Sequence, residues 1–206
     1  MESAGHEVRR PRQKRGIETR KRIIEAAKAL FSKKGYYSTN TKEIAAEAGV
    51  AIGSVYAYFK DKKQIFLEVL RAHISESKAM IMASLEAIDF SGESVRDAIY
   101  QLVKALYEAH DLSPAFHREA EGMRYSDPDV EALHDAFHES FFNDFTAFLE
   151  ARRELLRVTD IAAAAHIVIS ASEEVVHSTR IFTAAEISED RLLANLADMI
   201  GRFLLR

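Results

Sequence analysis

Between Asn40 and Gln64 the chain reads NTKEIAAEAGVAIGSVYAYFKDKKQ, which confines it to short helices joined by a forced turn. Asn40 can N-cap a helix at about 41–48, and Glu43, three residues on, completes a capping box. Gly49 ends that helix and permits the positive φ of a sharp turn. A second short helix follows at about 52–58. Asp61, with Gln64 at the box position, opens a long one at about 62–88. Helix, turn and helix at this spacing make a helix-turn-helix. Ile44, Ala45, Val50, Val55 and Phe59 can face the preceding helix as a small core. The opposite side of the second helix then displays Gly53, Ser54, Tyr56 and Tyr58. Gly53 lets a DNA backbone come close, and Ser54 can reach a phosphate or a base edge. A tyrosine hydroxyl can bond a phosphate while its ring packs on a sugar or a thymine methyl. Lys62, at the positive end of the long helix, is placed for a phosphate. This is the inventory of a recognition helix in a major groove. The competing reading is that Tyr56 and Tyr58 only pack the small core and keep a wet hydroxyl.

The rest of the chain is helical in pattern too. Glycine (8) and proline (3) are sparse in 206 residues, and apolar positions recur at i, i+3, i+4 and i+7. A first helix is expected at about 17–34, with Ile23, Ile24, Ala27, Leu30 and Phe31 on one face and Gly35 as its stop. Further helices are expected at about 94–110, 114–124, 128–153, 160–182 and 188–205. Their start signals are Ser94, Ser113-Pro114, Asp127-Pro128, Thr159 or Asp160, and Ser188. The expectation is an all-α fold of nine helices and no sheet.

Composition closes several routes. Without cysteine there is no disulfide, thiol nucleophile or thiolate metal site, and a cytoplasmic address fits. No apolar run reaches the roughly 18 residues of a transmembrane helix, and the basic N-terminus lacks the apolar stretch of a signal peptide. Neither a G-x-S-x-G elbow, a P-loop nor a dinucleotide fingerprint is present. The chain reads as a non-enzyme needing no cofactor. Residues 1–63 hold 15 Lys and Arg against 7 Asp and Glu, a net +8, whereas residues 64–206 carry a net −12. That asymmetry describes a polyanion-binding head on an acidic body. Residues 1–16 form a basic arm without periodicity, expected to be disordered when free. Arg12 and Arg15 in it either enter a narrow minor groove or add only nonspecific attraction to phosphate. The organisation expected is an arm at 1–16, a DNA-binding domain at 17–63, and an effector-binding and dimerisation domain at 64–206.

Residues 23–70, IIEAAKALFSKKGYYSTNTKEIAAEAGVAIGSVYAYFKDKKQIFLEVL, resemble the TetR family of bacterial transcriptional regulators. The resemblance rests on the glycine after helix one, Thr39-Asn40, EIAAEAGV, and then glycine, a small hydroxyl residue, tyrosine and YFKDKKQIF. It implies an all-α homodimer whose three N-terminal helices bind DNA and whose larger C-terminal domain binds a small effector. By position, Thr39, Asn40, Gly53, Ser54, Tyr56, Tyr58 and Lys62 match the family's DNA-contact sites. Ala51, Ile52 and Ala57 depart from the usual residues, so operator specificity does not transfer.

In the body, Phe137, Phe141, Phe142, Phe145 and Phe148 crowd one helix, chiefly as core. The resemblance puts an effector pocket among the middle helices. Phe116, Met123, Phe137, Phe141 and His177 are the lining candidates, suited to a lipophilic or aromatic effector. His134 with His138, and Glu173 with His177, sit four residues apart, with Glu119, Glu121, His110 and His117 nearby in sequence. A metal site needs three or four converging ligands, and none is assigned. The helices at about 160–182 and 188–205 offer small residues (Ala162 to Ala165, Ser170 to Ser172) beside Ile161, Val168, Val175, Phe182, Leu192, Leu193, Leu196, Met199, Ile200, Phe203 and Leu204. They suggest a four-helix interface between two copies. The expected function is a repressor that binds a palindromic double-stranded operator and is released by a small molecule. The alternative is a DNA-binding protein without small-molecule input, controlled by a protein partner or acting architecturally.

Overall fold

The computed structural model describes residues 14–90, 95–109, 114–181 and 187–206. These form α1 (Lys14–Lys34), α2 (Thr41–Glu47), α3 (Ile52–Tyr58), α4 (Lys62–Glu86), α5 (Val95–Ala109), α6 (Pro114–Arg124), α7 (Pro128–Glu150), α8 (Ile161–Val176) and α9 (Glu189–Leu204). A 3-10 turn at Arg153–Leu155 follows α7, and a π-helical turn at His177–Ile181 continues α8. No strand occurs among the described residues. A single antiparallel bridge, Leu156 to Leu205, ties the last residues to the turn after α7. The expected all-α class is what the chain adopts, with nine α-helices among the described residues.

Helix ends fall where a side chain or a glycine sets them. Asn40 Oδ1 accepts from the backbone N–H groups of Lys42 and Glu43 at 3.0 and 3.1 Å. Glu43 Oε2 returns the favour to Asn40 N–H at 2.9 Å, so the capping box is complete. Gly35 and Gly49 hold φ of +84° and +63° after α1 and α2. Asp61 Oδ1 accepts from Gln64 N–H at 2.8 Å, but the Gln64 side chain accepts from Lys60 N–H, one residue before the reciprocal box position. Asp160, not Thr159, caps α8 through Ala163 N–H at 2.9 Å. Ser188 precedes α9 without a side-chain cap bond.

Other ends differ from expectation. Helix α1 begins at Lys14, so Lys14, Arg15 and Gly16 are helical and not part of an arm. Residues 1–13, including Arg12, lie outside the described residues, as do Ser94, His110, Ser113 and Phe182. The α-helical part of α8 stops at Val176. There Thr179 Oγ1 and Ser178 Oγ both donate to Val175 O, at 2.6 and 3.2 Å. Hydroxyls on a carbonyl compete with the helix ladder, and the ladder widens into a π turn.

Two apolar cores are strung along α4. The first gathers Ile23, Ala27 and Phe31 of α1, Ile44, Ala45, Val55 and Phe59 of the helix-turn-helix, and Ile65, Phe66, Val69 and Leu70 of α4. It also takes Phe116, Ala120 and Met123 from α6 and Val130 from α7. Phe116 is 0% exposed, with ring centroids 5.2 Å from Phe66 and 6.3 Å from Phe31. The second core joins Ile81 and Leu85 of α4 to α5, α7, α8 and α9. Ile161, Ala164, Ala165, Val168 and Ser172 belong to this inner packing, as do Leu193, Leu196 and Ile200. Ile161, Ala164, Ala165, Val168, Ser172, Leu193, Leu196, Ile200 and Leu204 are expected at a subunit interface from the sequence and instead face their own chain.

Candidate nucleic-acid interface and internal cavity

Helix α3 starts after Ala51 without a side-chain cap, and Val55 anchors its inner face. Its outer face carries Ile52, Gly53 and Tyr56, with Ser54 half-buried at the edge. A Cβ added to Gly53 would meet nothing within 4 Å, so the fold itself does not require glycine there. Tyr56 is 41% exposed, and its hydroxyl lies 3.0 Å from Thr41 Oγ1, which fixes the ring beside the start of α2. Tyr58 is half-buried against the first core. Asn40 is exposed, with its side-chain oxygen occupied by the cap.

Two of the sequence-matched contact residues sit elsewhere. Thr39 is 1% exposed and donates to Gly35 O at 2.7 Å. A hydroxyl so enclosed cannot reach a nucleic acid. Lys62 turns inward: its Nζ donates to Tyr36 O and Thr39 O, both at 2.7 Å, and lies 4.1 Å from the Tyr36 ring centroid. Burial lowers the pKa of Lys62, against the pull of Glu119 and Glu43. The ammonium is therefore spent on the α1–α2 loop rather than offered to a phosphate. Arg15 is exposed on the first turn of α1.

The same loop is gripped from the body. Glu119 of α6 accepts from the Tyr36 backbone N–H, and its carboxylate occupies the space a Gly35 side chain would need. Lys63 pairs with Asp127 and Asp129 at the start of α7, at 2.8 and 2.6 Å. Those carboxylates hold the Lys63 pKa above its ordinary value. Nothing in the periodicity of the sequence singles out Glu119; only the tertiary placement of α6 does.

Inside the body lies a cavity of about 160 Å³ that runs along α4 from Leu70 to Leu85. Phe137, Phe141 and His177 line it, whereas Phe116 and Met123 do not and belong to the first core. The difference arises because α6 turns Phe116 and Met123 towards α1 and α4 and presents His117 and Glu121 to the cavity. Most of the wall is apolar. At one end Glu121, His134, His138, Glu173 and His177 meet. His134 Nε2 lies 3.4 Å from Glu121, and His138 Nε2 lies 3.5 Å from Glu173. The two imidazoles stack with centroids 4.4 Å apart. Burial, with His134 and Arg124 nearby, pushes His138 down to about 4. Burial pushes Glu173 up to about 7 and lowers His177. For Glu121 burial raises the pKa, but the His134 hydrogen bond and the charges of His134, His177 and Arg124 outweigh it and bring it below the usual value. Among the described residues, no group of three or more His, Asp or Glu side chains is arranged to hold a metal ion. No described helix is long and apolar enough to cross a membrane. His73, buried on α4, and Arg152, at the far end, also line the cavity and were not anticipated. A polar residue interrupting the apolar face of α4 was the signal available for His73.

Residues 23–69 match the bacterial regulatory proteins of the tetR family, and residues 94–204 match the tetracyclin repressor-like C-terminal domain. The HTH-type transcriptional regulator HbdR of Aromatoleum sp. (strain CIB) is 31% identical over 107 residues, 52% of this chain and 47% of that protein. The match thus spans about half the length of HbdR and about a third of two Bacillus subtilis relatives, the HTH-type transcriptional regulators YuxN and YerO. In shape it is similar to a TetR-family protein from Mesorhizobium loti, with a TM-score of 0.79 at 20% identity over 94% of this chain and 100% of that one. A Saccharomonospora viridis protein crystallised in complex with choline gives 0.74 at 19% identity, over 92% and 99%. At these identities the solved structures speak for the fold alone.

Proposed function

The chain belongs to the TetR family of bacterial regulatory proteins, a class of DNA-binding transcriptional regulators and not of enzymes, and from that premise we propose that it is a repressor that binds a palindromic operator as a homodimer and is released by a small molecule in the body cavity. Gly53, Ser54, Tyr56, Tyr58 and Asn40 form the reading face, and Arg15, exposed on the first turn of α1, extends it along the backbone. Thr39 and Lys62 act from behind, by fixing the loop that aims α2. Two recognition helices would enter successive major grooves about 34–36 Å apart.

Pairing falls to the outward faces of α8 and α9. Ile167 and Met199 are 51% and 47% exposed there, beside exposed Ala162, Ala163 and Ser170. Small residues next to exposed apolar ones suit close helix approach between copies.

The observation that carries the ligand-responsive reading is the placement of α6. One face packs Phe116 and Met123 into the DNA-binding head, while His117 and Glu121 line the cavity. A ligand that favours a different position of α6 shifts the grip of Glu119 on the α1–α2 loop, and α4 carries the same displacement. Its differential affinity for the two positions sets the most it can do. The cavity favours this reading over a regulator without small-molecule input.

The test is selection of retained sequences from a random DNA pool, followed by Gly53→Ala on the selected site. A palindrome with half-sites about one turn apart is expected. Gly53→Ala should leave the fold as stable or up to about 1 kcal/mol more so, yet weaken the operator complex by obstructing close approach. Retention without sequence enrichment would sink the reading in favour of an architectural role.

A further inference from the structure

We propose that the cavity is built for an amphiphile with a cationic amine head, the ammonium seated between Glu121 and Glu173 and an apolar body lying along α4. The proposal rests on the reading of the cavity as an effector site and names the chemical class it takes.

The shape comes first. From Leu70 to Leu85 the cavity follows about 22 Å of α4, at about 1.5 Å per residue. Away from the head end it is walled by Ile81, Leu85, Ile99, Val103, Phe145 and Leu149. Only an apolar body can lie there without losing hydrogen bonds to water.

The head end decides the charge. Two carboxylates and three imidazoles converge on it. His134 directs Nε2 at Glu121 and spends an N–H there, and His138 Nε2 lies 3.5 Å from Glu173. In neutral His134 that leaves the Nδ1 lone pair as an acceptor. His134 Nδ1 is buried and has no hydrogen-bond partner. What the site lacks is a donor. Positive charge is short as well: Arg124 reaches Glu121 at 4.0 Å, but among the described ion pairs Glu173 meets only His138. A ligand carboxylate would bring more acceptors and a third negative charge. An alcohol would bring one donor and no charge. An ammonium brings several donors and the missing charge.

The opposite end offers a cation of its own, Arg152, which donates to Phe148 O at 3.1 Å and sits 3.8 Å from the Phe148 ring centroid. A carboxylate placed against Arg152 would leave the tail among the Glu and His groups, with His134 Nδ1 still unmet. That orientation is the rival the experiment must separate.

Titration supports the assignment. The groups facing Glu173 are His134 and His138 from α7, Glu121 and Arg124 from α6, and His177 beyond the end of α8. With its pKa near 7, Glu173 is largely protonated at pH 6 and largely ionised at pH 8. An ammonium beside it favours the ionised form, so binding releases a proton and affinity rises with pH through 7. Below pH 6 affinity should fall by about tenfold per pH unit.

The full chain is titrated calorimetrically with n-octylamine, octanoate and octanol, each at pH 6 and pH 8, without DNA. Octylamine is expected to bind at least tenfold more tightly than either analogue at pH 8 and to weaken at pH 6. Glu173→Gln and Glu121→Gln should each erase most of the preference of the site for octylamine over octanol at pH 8. Octanoate binding as well as octylamine, indifference of octylamine to both substitutions, or no binding of octylamine would overturn the proposal. Operator release is measured separately. Tight octylamine binding without release would sink the release reading and leave the amine assignment standing. Release by octanol or octanoate alone would do the reverse.

Discussion

The two stretches of α4 are packed by similar residues to opposite ends. Around Phe66 the side chains of Ile23, Phe31, Phe59 and Phe116 are all 0% exposed and fill their space. Around Ile81 and Leu85 the same kind of residue lines a void of about 160 Å³. Polar groups follow the same division. In the head the Asn40 side-chain oxygen, the Thr39 hydroxyl and the Lys62 ammonium are each held by backbone partners. In the body Glu121, Glu173, His138 and His177 are packed together with perturbed titration. A surface that must present one fixed shape to DNA is over-determined. A chamber that must change on binding is left under-filled.

Phenylalanine deletion tests that contrast most strongly. Phe116→Ala should cost about 3–5 kcal/mol, because a filled core cannot collapse onto so large a hole. Although Phe116 lies in α6, the loss should appear in DNA binding too, since the residue is part of the head's core. Phe141→Ala, on the cavity wall, should cost well under half as much and widen the range of ligands accepted. Chemical denaturation of both variants measures it. Equal losses would mean that the cavity wall is as tightly determined as the head.

The two left-handed glycines come next. Gly35 and Gly49 both need positive φ, so alanine at either is strained by roughly 1 kcal/mol or more. At Gly49 the nearest atom to an added Cβ, on Arg22, is 4.0 Å away, whereas at Gly35 the Glu119 carboxylate is in the way. Gly35→Ala should therefore destabilise by about 1–2 kcal/mol more than Gly49→Ala. Combining Gly35→Ala with Glu119→Ala should recover part of the excess in a double-mutant cycle. Full additivity would mean that α6 does not press on the loop.

Lys62 separates a brace from a contact. If it holds the α1–α2 loop, Lys62→Met should lower stability by about 1–2 kcal/mol through two orphaned carbonyls and leave the salt dependence of DNA binding unchanged. A phosphate contact would instead reduce the slope of log K against log salt by about one. The slope, measured between two salt concentrations, decides.

These cases also mark what the sequence could and could not reveal. The helix-turn-helix was legible almost to the residue because its signals are local: Asn40 with Glu43, the positive φ of Gly49, and Asp61 with Gln64. Lys62 and Thr39 were legible as positions but not as roles, because a buried hydroxyl and an inward ammonium depend on a loop closed by α6. Phe116 and Met123 were assigned to the cavity because their spacing says only that α6 has an apolar face, not which of two cores receives it. Glu121, His134, His138 and Glu173 were noticed as metal-type pairs. Their convergence on one end of a chamber is set by the packing of α6, α7 and α8, which no spacing rule encodes.

The smallest expected effects come from the caps and bear on how far a local signal can be trusted. Asn40, Asp160 and Ser188 all stand in capping positions. Asn40 accepts two backbone N–H bonds and Asp160 one, and Ser188 makes none. Replacing Asn40 by alanine should cost about 1 kcal/mol, and more if Glu43 loses its alignment with Lys34. Asp160→Ala should cost slightly less by the same scale. Ser188→Ala should fall within about 0.5 kcal/mol of zero, since no bond is lost and the position is exposed. Its helix instead has Glu189 and Asp190 in the first turn, where negative charge meets the positive end of the helix dipole. The substitution that should matter there is Glu189→Gln, because Glu189 also accepts from the Tyr107 hydroxyl at 2.9 Å. Thermal melts of the four variants order these effects. If Ser188→Ala proved as costly as Asn40→Ala, the serine would be acting as a cap in solution, and charge at the first turn would not be what starts α9.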